Sequence, residues 1–189
     1  MLNFYKYIEI VVSLQSLVIT SMLTVYIPLP FIYKSSNSIE FPITWQIPAI
    51  ILLTLIFHKK VLFRAFSLYM ILGLFILPIF HQGGSIGYVL TPNFGYLLGL
   101  YPLIKIINNL NTCNKINVWN FLKNGIIAIG AMHLTGILYN FIQTIPYSQY
   151  DLFLYNLGKY SLGKIGYHFL MLFPLLLLIK PIERLKHSK

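Results

Sequence analysis

Charge is nearly absent from the runs that make up most of this chain, and where it occurs it sits at their ends. That pattern constrains the fold more than any motif. An apolar run of about 20 residues is long enough to cross a bilayer as a helix, and shorter runs serve where the bilayer thins or the segment is re-entrant. Six such segments are expected, at about residues 8–27, 43–57, 61–80, 95–107, 118–142 and 162–179. Pro28 and Pro30 end the first by removing donors from the helical ladder. Pro48 lies near the start of the second, where a proline costs least, and His58-Lys59-Lys60 closes it. Arg64 sits one turn inside the third, within snorkelling reach of the headgroups. Polar loops are expected over residues 28–42 and over the tyrosine-rich stretch 143–161. A chain with 57% hydrophobic and 10% charged residues is not an ordinary soluble globule. The N-terminal run lacks a small-residue cleavage site and reads as a retained first helix. The sequence predicts an all-α integral membrane protein with one domain over residues 1–189.

The net charge of +10 would suggest nucleic acid in a soluble protein. Here it reports topology instead, so the bilayer is the expected partner and nucleic acid is not. Lys6, Lys59, Lys60, Arg64, Lys105, Lys115, Lys123, Lys180, Arg184, Lys186 and Lys189 fall on one side of a six-span arrangement. Only Lys34, Lys159 and Lys164 fall on the other. Basic residues collect on the cytoplasmic side, so both termini are expected there in a multi-pass protein of the cell membrane. The loop after the third segment then faces outside.

That loop belongs to the stretch from Phe80 to Gly99, which holds five of the 12 glycines and no Lys, Arg, Asp or Glu. Glycine lets the backbone adopt angles closed to other residues and lets other groups approach closely. Irregular backbone at membrane depth survives only where it is buried in protein or lines a cavity. Residues 81–95 therefore read as the wall of a binding site, with an exposed inter-helix loop as the alternative. Gly95-x-x-x-Gly99 fits either a close helix-packing face or a surface that admits a ligand.

The residues of this stretch also carry a resemblance. Gly83-Gly84-x-x-Gly87, then Pro92, then Gly95-Tyr96-Leu97-x-Gly99 resembles the signature of the BioY family, the biotin-specific membrane-embedded substrate-binding (S) components of energy-coupling-factor (ECF) vitamin transporters. Ile27-Pro28-Leu29-Pro30, Phe41-Pro42-Ile43-Thr44-Trp45-Gln46 and Leu77-Pro78-Ile79-Phe80 are similar to further family elements and stand in the family's order. The resemblance covers about residues 25–105. It implies an S-component-like six-helix fold. It also implies capture of biotin or a similar small vitamin from outside, and delivery inward with an ECF transmembrane scaffold and ATPase subunits on other chains. Such docking commonly uses small residues on the first helix. Ser13, Ser16 and Ser21 are present there, without the family's alanine spacing.

Catalysis is not expected. The four acidic residues Glu9, Glu40, Asp151 and Glu183 form no pair for acid–base work. The histidines show no metal spacing, the single Cys113 allows no internal disulfide, and no phosphate-binding glycine motif occurs, so neither metal nor cofactor is expected. His133 is placed at mid-membrane, where it is either a functional group or a neutral imidazole bonded to a neighbouring helix. Tyr150, Tyr155 and Tyr160 suit an interfacial belt, and some of them suit a cap over the pocket.

A biotin site needs an apolar slot with a few convergent donors and acceptors. The candidates are Thr44, Gln46, Gly83, Gly84, Gly87, Tyr88, Asn93, Gly95, Tyr96, Lys164 and Tyr167, with His81, Gln82 and Ser85 beside them. Helix capping and loop satisfaction are the competing roles for the polar ones. One departure stands out. Where the family resemblance implies Gly-Asp-x-x-Lys meeting the ureido end of biotin, this chain reads Gly163-Lys164-Ile165-Gly166-Tyr167. An ammonium only donates, so Lys164 is expected to attract a carboxylate or bond a carbonyl. A solitary or self-associating carrier of altered specificity, and a membrane structural subunit, are the competing functions.

Overall fold

The computed structural model describes residues 4–28, 38–81, 83–112 and 117–187. Helix α1 (Phe4–Met22) is followed by strands β1 (Thr24–Pro28) and β2 (Ser38–Thr44), then by α2 (Gln46–Ile56) and α3 (Lys59–Phe75). A 3-10 turn (Ile86–Leu90) leads into α4 (Pro92–Leu98) and α5 (Leu100–Asn108). The long α6 (Val118–Thr144) precedes α7 (Tyr150–Asn156), a π-helical turn (Leu157–Leu162), α8 (Gly163–Leu170) and α9 (Leu172–His187).

Helix α6 packs against α4, α5, α7, α8 and α9, while α1 packs on α3 and α2 and α3 pack on α5. Side-chain caps fix two starts: His58 Nδ1 accepts from the Lys60 N–H at 3.2 Å, and Asn117 Oδ1 accepts from the Trp119 N–H at 3.1 Å. Large apolar side chains line the outside as well as the core. Leu134, Leu138, Phe173 and Leu177 are all exposed, Leu177 to 79%. Water disfavours such a surface and a lipid hydrocarbon core suits it. Among the described residues, Val118–Tyr147 is long and apolar enough to cross a membrane by itself, and Tyr150–Leu170 with Leu172–Arg184 qualify together as a pair bent by 43°.

The chain is mostly helical, as expected, and departs from an all-α fold in a hairpin. The first segment leaves the helix at Met22, because Thr24-Val25-Tyr26-Ile27 offers the β-branched and aromatic residues that strands favour. Residues 38–44, expected as the end of the 28–42 loop and the start of the second segment, are the antiparallel partner strand, with Val25 opposite Phe41 and Tyr26 opposite Glu40. One face of this hairpin buries Val25 and Ile43 against Met171, and that contact supplies the stability a lone hairpin lacks. Pro30 and Lys34, between the two strands, and Gln82, Cys113 and Lys115 lie outside the described residues.

The segment 143–161 is also helical rather than looped. Asn156 Nδ2 donates to Asn140 Oδ1 at 3.0 Å, and Asn140 Nδ2 donates to the Phe153 carbonyl at 3.3 Å, which holds α7 against α6. The helical stretch expected from 162 to 179 starts earlier and breaks at Met171, between α8 and α9. The stretch expected from Gly95 begins at Pro92 and is divided at Gly99 into α4 and α5. Of the small residues on α1, Ser13 and Ser21 are fully buried in the bundle and Ser16 is half-buried.

Candidate functional site

Where the hairpin, the glycine turn and the π-helical turn converge, they enclose a cavity of about 420 Å³. The turn that forms one wall is held in place. The Phe80 N–H donates to the Gly83 carbonyl at 2.8 Å and the Gly83 N–H to the Phe80 carbonyl at 3.0 Å. Gly83 has φ +146°, which a side chain tolerates poorly. Tyr88 Oη donates to the His81 carbonyl at 3.1 Å. Tyr139 Oη and Gln143 Nε2 of α6 both donate to the Val89 carbonyl. Tyr69, Phe80, Tyr88 and Phe94 pack ring on ring in series, edge-on in the first and last pairs and tilted between Phe80 and Tyr88, with centroids 4.8–6.5 Å apart. Pairs of this geometry add stability beyond their buried area.

Thr44, Gln46, Tyr88, Asn93, Tyr96, Lys164 and also His81 line the cavity. Gln46 Nε2 donates to Tyr69 Oη at 3.2 Å, and Tyr69 Oη donates to the Ile79 carbonyl at 3.3 Å. Gln46 is thereby aimed by a buried tyrosine. His81 lies in the turn, where burial and then the Lys164 ammonium hold its pKa below the usual imidazole value.

The structure places the remaining candidates elsewhere. Gly83, Gly84, Gly87, Gly95 and Tyr167 do not line the cavity. Gly84 lies against backbone, where a Cβ would stand 2.5 Å from Pro78 Cα and 2.9 Å from the Gly73 carbonyl oxygen. A Cβ on Gly95 would strike the Tyr139 ring, and one on Gly99 the backbone of Met132. Both glycines therefore serve close helix packing against α6. At Gly87 the nearest neighbour of a Cβ is Ser85 Oγ at 3.7 Å, so packing does not require glycine there. Tyr167 packs its ring on Phe41, with centroids 4.8 Å apart.

Sequence reasoning missed Tyr69, Lys159 and His168 as lining residues, and it is Tyr160 of the belt-or-cap tyrosines that lines the cavity. Lys159 Nζ lies 5.3 Å from the centre of the Tyr160 ring and Lys164 Nζ lies 5.5 Å from it, so one aromatic face system gathers two cations. Residues five apart do not share a face of an α-helix. The π-helical turn, whose bonds run i to i+5, brings them together. Among the described residues, no Asp or Glu lines the cavity. Two ammonium groups at the edge of an apolar, aromatic slot are chemically matched to an anionic group on an apolar body.

The BioY family model matches residues 5–170 of this chain. A curated relative, the probable biotin transporter BioY of Lysinibacillus sphaericus, is 40% identical over 73 residues, which make up 39% of this chain and 33% of that protein. The chain thus spans about a third of the length of the curated relative it matches. The crystal structure of the S-component for biotin from an ECF-type ABC transporter has the same fold. Its TM-score is 0.61 at 17% identity, and the match covers 99% of this chain and 95% of that one.

Proposed function

This chain belongs to the BioY family, and on that footing we propose that it is a membrane-embedded binding subunit that captures biotin or a similar small anionic vitamin. The observation that carries the reading is the cavity itself, whose aromatic wall faces two lysines and, among the described residues, no acid. Biotin offers an apolar ring and tail, an uncharged ureido group and a carboxylate. The tail and ring suit the slot of Phe80, Tyr88 and Leu100. The carboxylate suits Lys164, with Lys159 at the rim. The role is binding and delivery, not chemistry.

The same reading sets six spans in the bilayer of the cell membrane, both termini cytoplasmic, with the cavity open to the outside. Delivery inward would then depend on an ECF scaffold and two ATPase subunits. Lys164 and Tyr167, in place of the acid and lysine that the family resemblance implies, support altered polar contacts within a retained pocket.

Binding of radiolabelled biotin to the purified protein, competed with its neutral amide, tests the function. Saturable binding with the amide much the weaker competitor is expected, and no binding at all would sink the proposal. For orientation, a cysteine at Ser85 in a Cys113-free protein should react with an impermeant reagent added outside. Labelling at position 115 in place of 85 would reverse the topology.

A further inference from the structure

Behind the lysines lies a buried polar chain that the carboxylate contact does not use. His133 of α6 is bonded on both ring nitrogens. Its Nδ1 lies 3.0 Å from Ser161 Oγ in the π-helical turn, and its Nε2 lies 2.9 Å from His168 Nδ1 in α8. All three residues are buried, and His168 lines the cavity. His168 stands four residues after Lys164 on α8, so both occupy one helix face. At the far end, Tyr96 packs edge-on against His133 at 5.6 Å, in the space that Gly136 leaves free. Tyr96 Oη lies beside Ser161 without a hydrogen bond of good geometry to it. It is the buried side-chain polar atom left without a partner among the described residues.

A buried polar group without a partner is expensive, and one in a cavity wall is a place to look for a ligand's contribution. Each ring nitrogen of a neutral imidazole is either a donor or an acceptor. A chain of two imidazoles and a hydroxyl therefore has two satisfied senses. In one, Ser161 O–H donates to His133, His133 Nε2–H donates to His168, and His168 Nε2–H is left to donate. In the other, His168 Nδ1–H donates to His133, His133 Nδ1–H donates to Ser161, and His168 Nε2 is left to accept. The second sense frees the Ser161 proton for Tyr96 Oη.

We propose that His168 is the pocket's contact for the uncharged polar group of the ligand, and that His133, Ser161 and Tyr96 set whether it donates or accepts. A ureido group carries both a carbonyl acceptor and N–H donors, so it is the class of group such an adaptable imidazole fits. His133 and Ser161 are positioning residues. The inference rests on the proposed capture of biotin in this cavity.

The test uses the full chain in detergent, with biotin and with octanoate, which shares the carboxylate and apolar tail but lacks the ureido group. His168→Leu should lower biotin affinity tenfold or more and leave octanoate binding within twofold of the parent. His133→Phe should lower biotin affinity by less and move the ¹⁵N imidazole resonances of His168, and His133→Gln, which both donates and accepts, should restore part of the affinity. Unchanged biotin affinity in His168→Leu, or equal loss of biotin and octanoate, overturns the proposal while leaving the capture function standing. Failure of the parent to bind biotin overturns both.

Discussion

Replacing Lys164 by methionine should weaken biotin binding by roughly 30-fold or more and leave binding of biotin's neutral amide almost unchanged. Methionine keeps the length and the apolar stem of lysine, so the substitution removes charge and little volume. Lys164 lies in the cavity wall with its Nζ against the Tyr160 ring, and among the described residues no acid lines the cavity to share it. A carboxylate that enters a poorly hydrated slot loses its water and must regain that energy from a cation. Truncating one partner of such a pair costs about 2–5 kcal/mol, and the lower figure is roughly a 30-fold change in affinity. Lys159 is the competing explanation, since it meets the same ring at 5.3 Å. It is exposed, and salt and water screen a charge so placed. Lys159→Met should therefore cost only a few-fold, mostly in association rate. Equal effects of the two substitutions would make the pair a diffuse attractor, and unchanged biotin affinity in Lys164→Met would remove the carboxylate from this end of the cavity.

Which parts of this architecture the sequence displays follows from the range of the interactions involved. Helices α2, α3 and α6 are readable because continuous apolar runs and caps such as His58 and Asn117 are local signals. The hairpin is hidden, because Thr24 to Ile27 extends an apolar run that already reads as helix, and its partner strand carries Pro42 and follows a polar stretch of sequence. What selects the strand is burial of Val25 and Ile43 on Met171, a contact with a residue more than a hundred positions away. The cavity's membership splits in the same way. Thr44, Gln46 and Asn93 are visible as polar residues where apolar segments begin, but Tyr69 and His168 sit within apolar helices and look like core. The pairing of His133 with His168 spans 35 residues and follows no local spacing. Lys159 and Lys164 converge only because the backbone makes a π-helical turn. The glycines are conspicuous in sequence, yet spacing alone does not separate a glycine that meets a ligand from one that meets another backbone.

That last distinction yields the second large effect. Gly99→Leu should lower the stability of the protein by about 2 kcal/mol or more and abolish biotin binding with it, whereas Gly87→Ala should leave both near the parent values. The two opposing terms at Gly99 have known sizes. Its backbone is right-handed helical, with φ −62° and ψ −14°, so leucine is conformationally allowed and helix propensity favours it by up to about 1 kcal/mol. Sterics oppose it. A Cβ there would lie 2.5 Å from the carbonyl oxygen of Met132 and 2.9 Å from its Cα. Those atoms belong to the backbone of the central helix α6, which cannot rotate out of the way as a side-chain tip does. Adding even one or two carbons to a packed core costs about 1–3 kcal/mol when neighbours must shift, and here α4 and α5 must move away from α6 as rigid pieces. Asn93 and Tyr96 on α4 and Leu100 on α5 line the cavity, so that displacement reaches the site directly. Thermal melting in detergent together with biotin binding separates the cases. A Gly99→Leu protein that melts with the parent and still binds would show that α4 and α5 are not pressed against Met132. A Gly87→Ala protein that loses binding would return Gly87 to the ligand, where the geometry leaves it no role.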